Sequence, residues 1–549
     1  MEIGISNVVH PGWSISYELL QKGTAIARSG GIYQGIIGKD ITLREDLPHL
    51  GLHYFIFWQE AFNPIKPKQK ASQISVLSRL ICDEDFKPRY YQVDAEGIHV
   101  SIEFHDHEFL AKLPNGEPFK GTWEGSDFLL EGNMVAQLAL KVRLLSTVDK
   151  QSYTNGFFSP GNFQVIPYQI EFRELSYITT NFEEKLVLDQ EGWIEKIHLK
   201  DEEYLVHRIT KTIPKWVTTD TQAPRKRHIK TYNPPINTLL QLEEIKIEVG
   251  DIHLDATIAL PSKETKKIAF ALFIGGSGMH DRHGFGNGID LGYHELLDQL
   301  ASKGIVNLRF DKRGVNVSHL GAEMLNPSYN RVIDDARHVL HFACSQVFSK
   351  QLPFFLIGHS QGGLVALELA AHTPNLNGVI LLSTAARNLE EVFADQLIEW
   401  SKEVDIPREA IRERINEMHV FFDLVRNYSD WTPENVPATV YALRNMRPWY
   451  AELLARDPTV MIQGLASPIL IVQCDEDVQV FLRDAELLYE AARTHNPNVE
   501  MIVLRGCDHL FKRATARSGL KSYFDYRRRV SKKLINAVAT WIANQSYES

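Results

Sequence analysis

The hydrophobic and polar positions follow one pattern in the first part of the chain and another in the second. Residues 1–213 carry short runs in which apolar and polar side chains alternate, separated by turn residues and with few helical periods. Alternation with a period of two is typical of strands that are buried on one face. The pattern predicts a mainly antiparallel β domain, with hairpins at 88–93/98–104 and 184–189/193–199 and a main candidate helix at 134–145.

From Leu242 onward, short apolar runs alternate with segments of helical periodicity. This alternation predicts an α/β fold, in which a parallel sheet is covered by helices on both faces. The predicted strands open with a hairpin and are 244–248, 253–260, 268–274, 305–310, 354–357, 378–382, 469–473 and 499–504. The predicted helices are 293–302, 332–344, 362–371, 483–494 and 530–544.

Two segments depart from these patterns. Residues 214–236 hold four prolines and lack apolar periodicity, which favours a linker. Between Ser383 and Ser467 the chain is helical, charged and aromatic, and far longer than an ordinary crossover. We therefore predict a β-rich N-terminal domain (1–213), a linker (214–236) and an α/β domain (237–549) with a helical cap inserted at about 386–465.

Length and charge narrow the classes of protein that fit. A chain of 549 residues exceeds the size at which a single core stops growing, so two domains are expected. The 59 basic and 69 acidic residues give a net charge of −10, which argues against nucleic-acid binding. No segment approaches eighteen consecutive apolar residues, and the N terminus lacks a basic start followed by an apolar core. We expect a cytoplasmic protein without a membrane span; whether it forms a homo-oligomer stays open.

The pentapeptide 358–362 reads Gly-His-Ser-Gln-Gly and lies between an apolar run and a helix rich in small residues. A strand that passes directly into a helix must turn sharply at Ser360. Glycines two positions before and two positions after remove side chains that would clash in that turn. The pattern predicts a nucleophile elbow, from which the hydroxyl of Ser360 projects.

Two later strand ends supply the partners that a nucleophilic serine needs. An unactivated hydroxyl is a poor nucleophile, so a base must take its proton and an acid must orient the base. Asp477 follows one predicted strand and His509 follows the next. Since open α/β sheets place their ligands at the carboxyl ends of parallel strands, the order Ser360, Asp477, His509 predicts a catalytic triad at that edge.

At these residues the chain resembles the α/β-hydrolase superfamily, over 240–549 and in strand order, elbow, acid and histidine. More narrowly, it resembles bacterial serine esterases that carry an N-terminal β-rich domain and a helical cap. The resemblance implies a mostly parallel eight-stranded sheet and makes 237–549 the catalytic domain. It also implies that the backbone amides of Ser277 and Gln361 form the oxyanion hole, in which each donor contributes roughly 3 kcal/mol.

Two loops also resemble those of this family, and the chain departs from the family directly after the second loop. Gly275–Gly278 after the third strand resembles the oxyanion loop, and Asp311–Gly314 resembles the turn after the fourth. Asn316 stands where the turn of this family often has a second glycine. The path of the chain after Gly314 is therefore not fixed by the resemblance.

Three acidic side chains compete for the role of the triad acid. Asp475 and Glu476 directly precede the candidate Asp477 in the same loop. The acid loop of the family often reads Gly-x-x-Asp-x-x-Val, and 474–480 matches it, with Cys474 in place of the glycine. The match favours Asp477.

Other residues near the predicted site receive different interpretations. His359 is interpreted as a packing residue, because it lies next to the nucleophile and its side chain would point elsewhere. The polar run 280–283 (His-Asp-Arg-His) is not read as a metal site, since successive loop residues rarely converge on one ion. The four cysteines lack metal-ligand spacing and fit reduced, mostly buried thiols. The serine mechanism needs no metal and no cofactor.

The cap is expected to close over Ser360 and to select the acyl group. Its aromatic residues Trp431, Trp449 and Tyr450 lie near helix ends and prolines and are the candidate substrate-binding residues. The sequence thus predicts a serine hydrolase of carboxylic esters or thioesters, with a small acyl substrate as its partner. Alternatives left open are an acyltransferase or cyclase of a biosynthetic pathway, a peptidase, and a non-catalytic binding protein on the same fold.

Overall fold

A computed structural model gives the structure of the protein. The residues it describes are 14–21, 24–36, 52–61, 74–84, 86–95, 98–105, 107–112, 119–123, 126–129, 137–138, 140, 152–159, 164–173, 176–179, 184–190, 193–199, 202–208, 232–233, 240–250, 252–278, 280–286, 289–315, 327–346, 350–404, 408–432, 435–436, 440, 443–514, 522–523 and 525–547. All structural statements below concern these residues.

The chain divides into two compact units. The first contains residues 1–227 together with 321–326 and 430–445, and the second contains 228–320, 327–429 and 446–549. The segment expected to form the cap is therefore shared between the two units. No helix among the described residues is both long and apolar enough to cross a bilayer.

The first unit is built on one fifteen-stranded sheet, which runs in the order β8-β7-β6-β5-β4-β3-β2-β1-β15-β14-β13-β12-β11-β10-β9. Its strands are β1 (Ser14–Gln21), β2 (Thr24–Ile36), β3 (His53–Ala61), β4 (Ile74–Cys82), β5 (Pro88–Ala95), β6 (Ile98–His105), β7 (Glu108–Lys112), β8 (Phe119–Thr122), β9 (Ser126–Leu129), β10 (Ser152–Ser159), β11 (Gln164–Arg173), β12 (Ser176–Thr179), β13 (Glu184–Leu188), β14 (Ile194–Leu199) and β15 (Glu202–Arg208). Neighbouring strands are antiparallel except β9 and β10, which are parallel. The mainly antiparallel β region and its two predicted hairpins are confirmed. Most of the candidate helix at 134–145 lies outside the described residues.

Alternate residues of the strands in this unit face a packed interior. Phe55 and Phe57 of β3 are fully buried, whereas Tyr54 and Ile56 between them are half-buried. The ring of Phe86 meets Phe55 edge-on at 5.6 Å. The period of two read from the sequence thus reflects a sheet with one better-covered face.

The second unit is built on an eight-stranded sheet in the order β16-β17-β21-β18-β22-β23-β24-β25. Its strands are β16 (Leu240–Val249), β17 (Ile252–Pro261), β18 (Ala269–Ile274), β21 (Ile305–Phe310), β22 (Phe354–His359), β23 (Gly378–Leu382), β24 (Ile469–Cys474) and β25 (Val499–Leu504), while β19 (Phe285–Gly286) and β20 (Ile289–Asp290) form a separate small hairpin. β17 is antiparallel to both of its neighbours, and the remaining pairs are parallel. The predicted mostly parallel eight-stranded sheet is confirmed.

Nine helices are described in this unit: α1 (Tyr293–Ser302), α2 (Tyr329–Ser345), α3 (Gln361–Ala370), α4 (Leu389–Val404), α5 (Arg408–Asn427), α6 (Arg447–Leu454), α7 (Pro458–Gln463), α8 (Leu482–Arg493) and α9 (Lys532–Tyr547). α2 begins one turn earlier than predicted because Ser328 caps it, its hydroxyl accepting the Arg331 amide at 3.4 Å. α9 begins later than predicted because Val530 still pairs with Lys512 as extended chain.

The sheet of the second unit is buried on both faces. In β22, Phe355 and Ile357 belong to one apolar cluster and Phe354 and Leu356 to another, so successive residues fill the two opposite cores. Such strands read as unbroken apolar runs. The strand order reverses between β18 and β22, and the crevice at the carboxyl ends of two such strands is where open α/β sheets bind ligands. Ser360 follows β22 directly at that edge.

Tyr232, in the segment predicted as linker, belongs to the second unit and packs within it. Its ring stacks on His283 at 4.0 Å, and its hydroxyl donates to Asp298 Oδ2 at 2.8 Å. Asp298 Oδ1 also pairs with Arg309 Nη1 at 2.9 Å, and the Arg309 side chain is fully buried. Tyr232 therefore covers a buried ion pair. A buried charge that loses its partners lowers the free energy of unfolding.

We expect Tyr232→Ala to lower the free energy of unfolding of the second unit by about 3 kcal/mol, because it removes both the stacked ring and the hydroxyl bound to Asp298. Tyr232→Phe keeps the ring and should lose only about 1 kcal/mol. Urea unfolding of the full chain measures both changes. Equal stability of the two variants would show that the hydroxyl, not the ring, supplies the stabilisation.

Candidate active site

Ser360 occupies a strained turn between β22 and α3. Its backbone lies at φ 53° and ψ −124°, a region that costs energy for a residue with a side chain. A Cβ on Gly358 would lie 2.4 Å from the Gly362 carbonyl oxygen, and one on Gly362 would lie 2.2 Å from the Ile274 oxygen. Both glycines are therefore required for the turn, and the Ser360 amide secures it by donating to the Leu382 carbonyl at 2.8 Å.

His509 is bonded to Asp477 beside this turn. His509 Nδ1 lies 2.8 Å from Asp477 Oδ2, and the exposed fractions of the two residues are 4% and 3%. The other carboxylate oxygen, Oδ1, accepts the backbone amides of Gln479 and Val480 at 2.8 and 2.9 Å. Since an ionised carboxylate only accepts hydrogen bonds, Nδ1 carries the proton of His509 and Nε2 keeps a lone pair.

The competing acids have other partners. Asp475 is exposed, and its Oδ1 accepts the Gly506 amide at 2.7 Å. Glu476 is also exposed, and its backbone amide donates to the Cys507 carbonyl at 3.1 Å. The structure thus brings the histidine together with Asp477, while Asp475 shapes the turn that precedes His509.

The loop that carries His509 is held by its neighbour Asp508. Asp508 Oδ1 accepts the Leu510 amide at 3.1 Å, and Oδ2 is bound by Arg528. Asp508 is 2% exposed, so the ion pair is shielded from solvent. This arrangement fixes the backbone from which the imidazole projects.

The two predicted oxyanion donors flank Ser360. A Cβ on Gly276 would lie 3.1 Å from Ser360 Cβ, so the loop after β18 runs directly beside the elbow. Ser277 is exposed, and within the described part of the chain no hydrogen bond engages its amide. Gln361 begins α3, where the first backbone amides have no partner inside the helix and attract negative charge.

Ser360 and His509 are linked through His359. Among the described residues no hydrogen bond joins the Ser360 hydroxyl to His509, as is common for catalytic groups without substrate. His359 Nε2 lies 3.0 Å from the His509 carbonyl oxygen, and the two rings are 4.8 Å apart. The residue next to the serine therefore positions the backbone of the histidine.

The same His359 is the centre of a directed chain of hydrogen bonds. Burial, with His509 nearby, lowers the pKa of His359 well below its usual value, so the ring is neutral. Its Nε2–H donates to the His509 carbonyl, hence Nδ1 accepts the Tyr293 hydroxyl at 2.8 Å. The Tyr293 oxygen in turn accepts the Gly276 amide at 3.0 Å. Interpreting His359 as packing missed this role, and no sequence spacing identified Tyr293.

The second unit contains a match to a known protein family. Residues 282–511 match a family model described as serine aminopeptidase, S33, a span that contains Ser360, Asp477 and His509. With the eight-stranded sheet and the elbow, this match decides the fold of the second unit. The second unit has the α/β-hydrolase fold.

Two curated proteins are similar to parts of this chain. Esterase EstD of Thermotoga maritima is 24% identical over 254 residues, which is 46% of this chain and 56% of that protein. Monoglyceride lipase of Saccharomyces cerevisiae is 30% identical over 97 residues, which is 18% of this chain and 31% of that protein. The chain thus spans less than two thirds of either relative.

Solved structures of esterases match at low overall similarity. An esterase of Pyrococcus furiosus is 12% identical with a TM-score of 0.38, the match covering 58% of this chain and 96% of that one. A carboxyl esterase of Bacillus coagulans is 17% identical with a TM-score of 0.36, covering 56% of this chain and 99% of that one.

Polar groups of the α/β-hydrolase domain that resemble metal ligands have protein partners. In the run 280–283, Asp281 Oδ1 accepts the amides of His283 and Phe285 and so closes a loop. Asp290, His294 and Glu295 place ligand atoms within 4.8 Å of one another. Lys512 Nζ lies 3.7 Å from Asp290, and an arginine, Arg529, binds Glu295 at 2.6 Å. These cations already balance the carboxylates.

The aromatic residues expected to select substrate have packing partners. Trp449, on α6, meets the buried Tyr329 edge-on at 5.4 Å. Tyr450 meets Phe421 of α5 at 5.2 Å. Trp431 is 5% exposed and belongs to the segment 430–445, which groups with the first unit.

Proposed function

We propose that the protein is a serine hydrolase that cleaves carboxylic esters or thioesters through an acyl-enzyme on Ser360. The observation that carries the proposal is the buried 2.8 Å bond between His509 Nδ1 and Asp477 Oδ2 beside the strained elbow of Ser360. It leaves the lone pair of His509 Nε2 available as a base at the edge of the sheet where the serine is presented. The names of the curated relatives, an esterase and a monoglyceride lipase, favour ester substrates.

In the proposed mechanism, Ser360 Oγ attacks the acyl carbon while His509 Nε2 takes the hydroxyl proton. Asp477 keeps the imidazole in the required tautomer and stabilises the imidazolium that forms. The amides of Ser277 and Gln361 donate to the oxyanion of the tetrahedral intermediate. His509 returns the proton to the departing alcohol or thiol. Water, activated by the same histidine, then releases the acid and restores Ser360.

Two related activities use the same residues. An acyltransferase or cyclase would pass the acyl group to an alcohol or amine instead of water. A peptidase would attack an amide, and the description of the matching family names an aminopeptidase. An aminopeptidase would require a free α-amino group on its substrate, whereas an esterase would not.

The test is a comparison of substrate classes on one preparation of the full chain. p-Nitrophenyl esters, acyl thioesters and aminoacyl p-nitroanilides would be compared by kcat/KM, with and without an added alcohol or amine acceptor. We expect esters or thioesters to be preferred and the free acid to be the product. A preference for aminoacyl anilides would support a peptidase, and transfer to the acceptor would support an acyltransferase.

We propose further that the cap formed by α4, α5 and α6 selects the acyl group through Trp449 and Tyr450. Both rings are half-buried, so part of each remains open to a ligand. Enclosure by such a cap excludes water from the reacting groups and couples substrate choice to turnover. The location of Trp431 in the segment grouped with the first unit makes it a weaker candidate.

Trp449→Ala is expected to shift the preferred acyl length on an ester series from acetyl to dodecanoyl, by at least about 10-fold in relative kcat/KM. The loss of the indole widens the space beside Tyr329. Trp449→Phe keeps an edge-on contact with Tyr329 and should retain the length preference. A parent-like profile in a folded Trp449→Ala protein, checked by its melting temperature, would remove Trp449 from the substrate site.

A further inference from the structure

Lys312 reaches from the turn after β21 to the loop that carries Ser277. Its Nζ lies 2.6 Å from the Gly276 carbonyl oxygen, is also bound to the Gly278 carbonyl, and lies 3.2 Å from His280 Nε2. An ammonium has three N–H donors and no acceptor. His280 Nε2 also lies 3.0 Å from the same Gly276 oxygen. The contact with Lys312 is therefore a hydrogen bond only in the tautomer that carries the proton on Nδ1, which lies 3.3 Å from the Asp281 carbonyl.

The residue before Ser277 is thereby held on both of its backbone polar groups. The Gly276 amide donates to the Tyr293 hydroxyl at 3.0 Å, and its carbonyl accepts from Lys312. In a planar trans peptide the carbonyl of one residue and the N–H of the next point in opposite directions. The bond from Lys312 to Gly276 therefore turns the Ser277 N–H away from the lysine.

The groups around Lys312 have other partners, except that His280 Nε2 also lies 3.0 Å from the Gly276 carbonyl oxygen. Arg313, next in the chain, is bound to Asp335 at 2.7 and 3.0 Å. Asp311, the preceding residue, accepts from Arg282 at 2.6 and 2.8 Å. Burial, reinforced by Lys312, lowers the pKa of His280 to about 3, so this ring is neutral. Neutral His359 also lies close enough for the charge of Lys312 to lower its pKa.

We propose that Lys312 is a positioning residue for the oxyanion hole: it holds the 276–278 loop so that the Ser277 amide faces the carbonyl oxygen of the acyl group attacked by Ser360. The inference rests on the proposed function, in which Ser277 supplies an oxyanion donor. Because Lys312 acts on the backbone and not on the substrate, its loss lowers kcat and leaves KM nearly unchanged. The cationic form makes the stronger bonds, since charge-assisted bonds are stronger than neutral ones.

The proposal gives a pH dependence with a defined sign. Burial lowers the pKa of Lys312 to about 7. As pH rises through this value, the ammonium loses one donor and its charge, so kcat should fall. Stability should change in the opposite direction. Between pH 7 and the ordinary lysine value near 10.5 the unfolded chain binds more protons than the folded one, and the free energy of unfolding rises with pH.

The experiment measures kcat and KM of the full chain on p-nitrophenyl acetate from pH 6 to 9. Each variant is compared with the wild type at the same pH, so that pH effects on groups they share cancel. In the wild type we expect kcat to decline about 5-fold as pH rises above 7. Lys312→Met should reduce kcat by about 10- to 100-fold at pH 6, where the contribution is largest, and abolish the decline. Lys312→Arg keeps the charge and should abolish the decline with a smaller loss.

Three controls separate this effect from other groups. Lys303→Met removes an exposed lysine at the end of α1 and should reproduce the wild-type profile. Cys507→Ser tests the thiol whose pKa a bond from Cys474 lowers to about 7, and should keep the decline. Melting temperatures of all variants reveal unfolding, and Lys312→Arg keeps the test valid if Lys312→Met does not fold.

A Lys312→Met protein with the wild-type kcat and the wild-type decline would overturn the inference, as would a change confined to KM. Labelling of Ser360 by a fluorophosphonate reports separately on the proposed function. If the wild type is labelled and active and Lys312→Met has the same kcat, the positioning role is refuted and the proposed function stands. A wild type that neither reacts with the probe nor hydrolyses any ester would remove both.

Discussion

An alanine in place of Ser360 is expected to abolish ester turnover and covalent labelling by a fluorophosphonate. The fall in kcat should be roughly a million-fold, the size found when a serine nucleophile is removed from a hydrolase that uses a triad. Alanine retains the Cβ that the elbow already accommodates at φ 53° and removes the hydroxyl alone. The protein should therefore keep its melting temperature while it loses its chemistry.

Ser383→Ala is a matched control for this change. Ser383 directly follows the neighbouring strand β23, is buried, and also has a positive φ, of 45°. Its hydroxyl makes no hydrogen bond within the described residues, so its removal should leave both activity and stability close to wild type. Turnover by Ser360→Ala at more than a thousandth of the wild-type rate would contradict the proposed nucleophile.

Asp477→Asn is expected to lower kcat by about 10,000-fold without unfolding the protein. The asparagine oxygen can still accept the amides of Gln479 and Val480 that Asp477 Oδ1 accepts. Its NH₂ group then occupies the position of Oδ2 and faces His509 Nδ1. A donor at that position favours the tautomer with the proton on Nε2, which cannot take the proton of Ser360.

The control is Asp475→Asn, in which the new amide oxygen can still accept the Gly506 amide. We expect this variant to stay within about threefold of wild type. Raising the pH should not restore the activity of Asp477→Asn, because this variant is defective in the tautomer of the imidazole and not in its charge. Loss of activity in Asp475→Asn with an active Asp477→Asn would reassign the acid.

The elbow and the strand order could be predicted because their signals are local. Gly358 and Gly362 are needed by contacts within the turn itself, and the apolar run before them is a strand buried on both faces. Likewise, Asp477 and His509 follow successive strands, and parallel topology brings strand ends to one edge.

The contacts of Lys312, Tyr293 and His359 could not be predicted in this way. Each joins loops that are distant in sequence, and the reach of a side chain across a sheet edge leaves no period in the chain. Lys312 lies in the Asp-Lys-Arg-Gly turn, which can be recognised in the sequence. The loop that the lysine contacts cannot be predicted from that turn. The aromatic content of the cap similarly predicts buried surface without assigning Trp449 to Tyr329.

The pairing of β1 with β15 has a consequence for how the chain is made. Tyr17 lies opposite Arg208, so the first strand has one edge unpaired until the last strand of the unit has left the ribosome. At ordinary rates of synthesis this interval is on the order of ten seconds or more. Exposed strand edges are sites of association between chains. The first unit therefore presents this strand edge until nearly all of its strands have been made, while the second unit builds its own sheet from strands made afterwards.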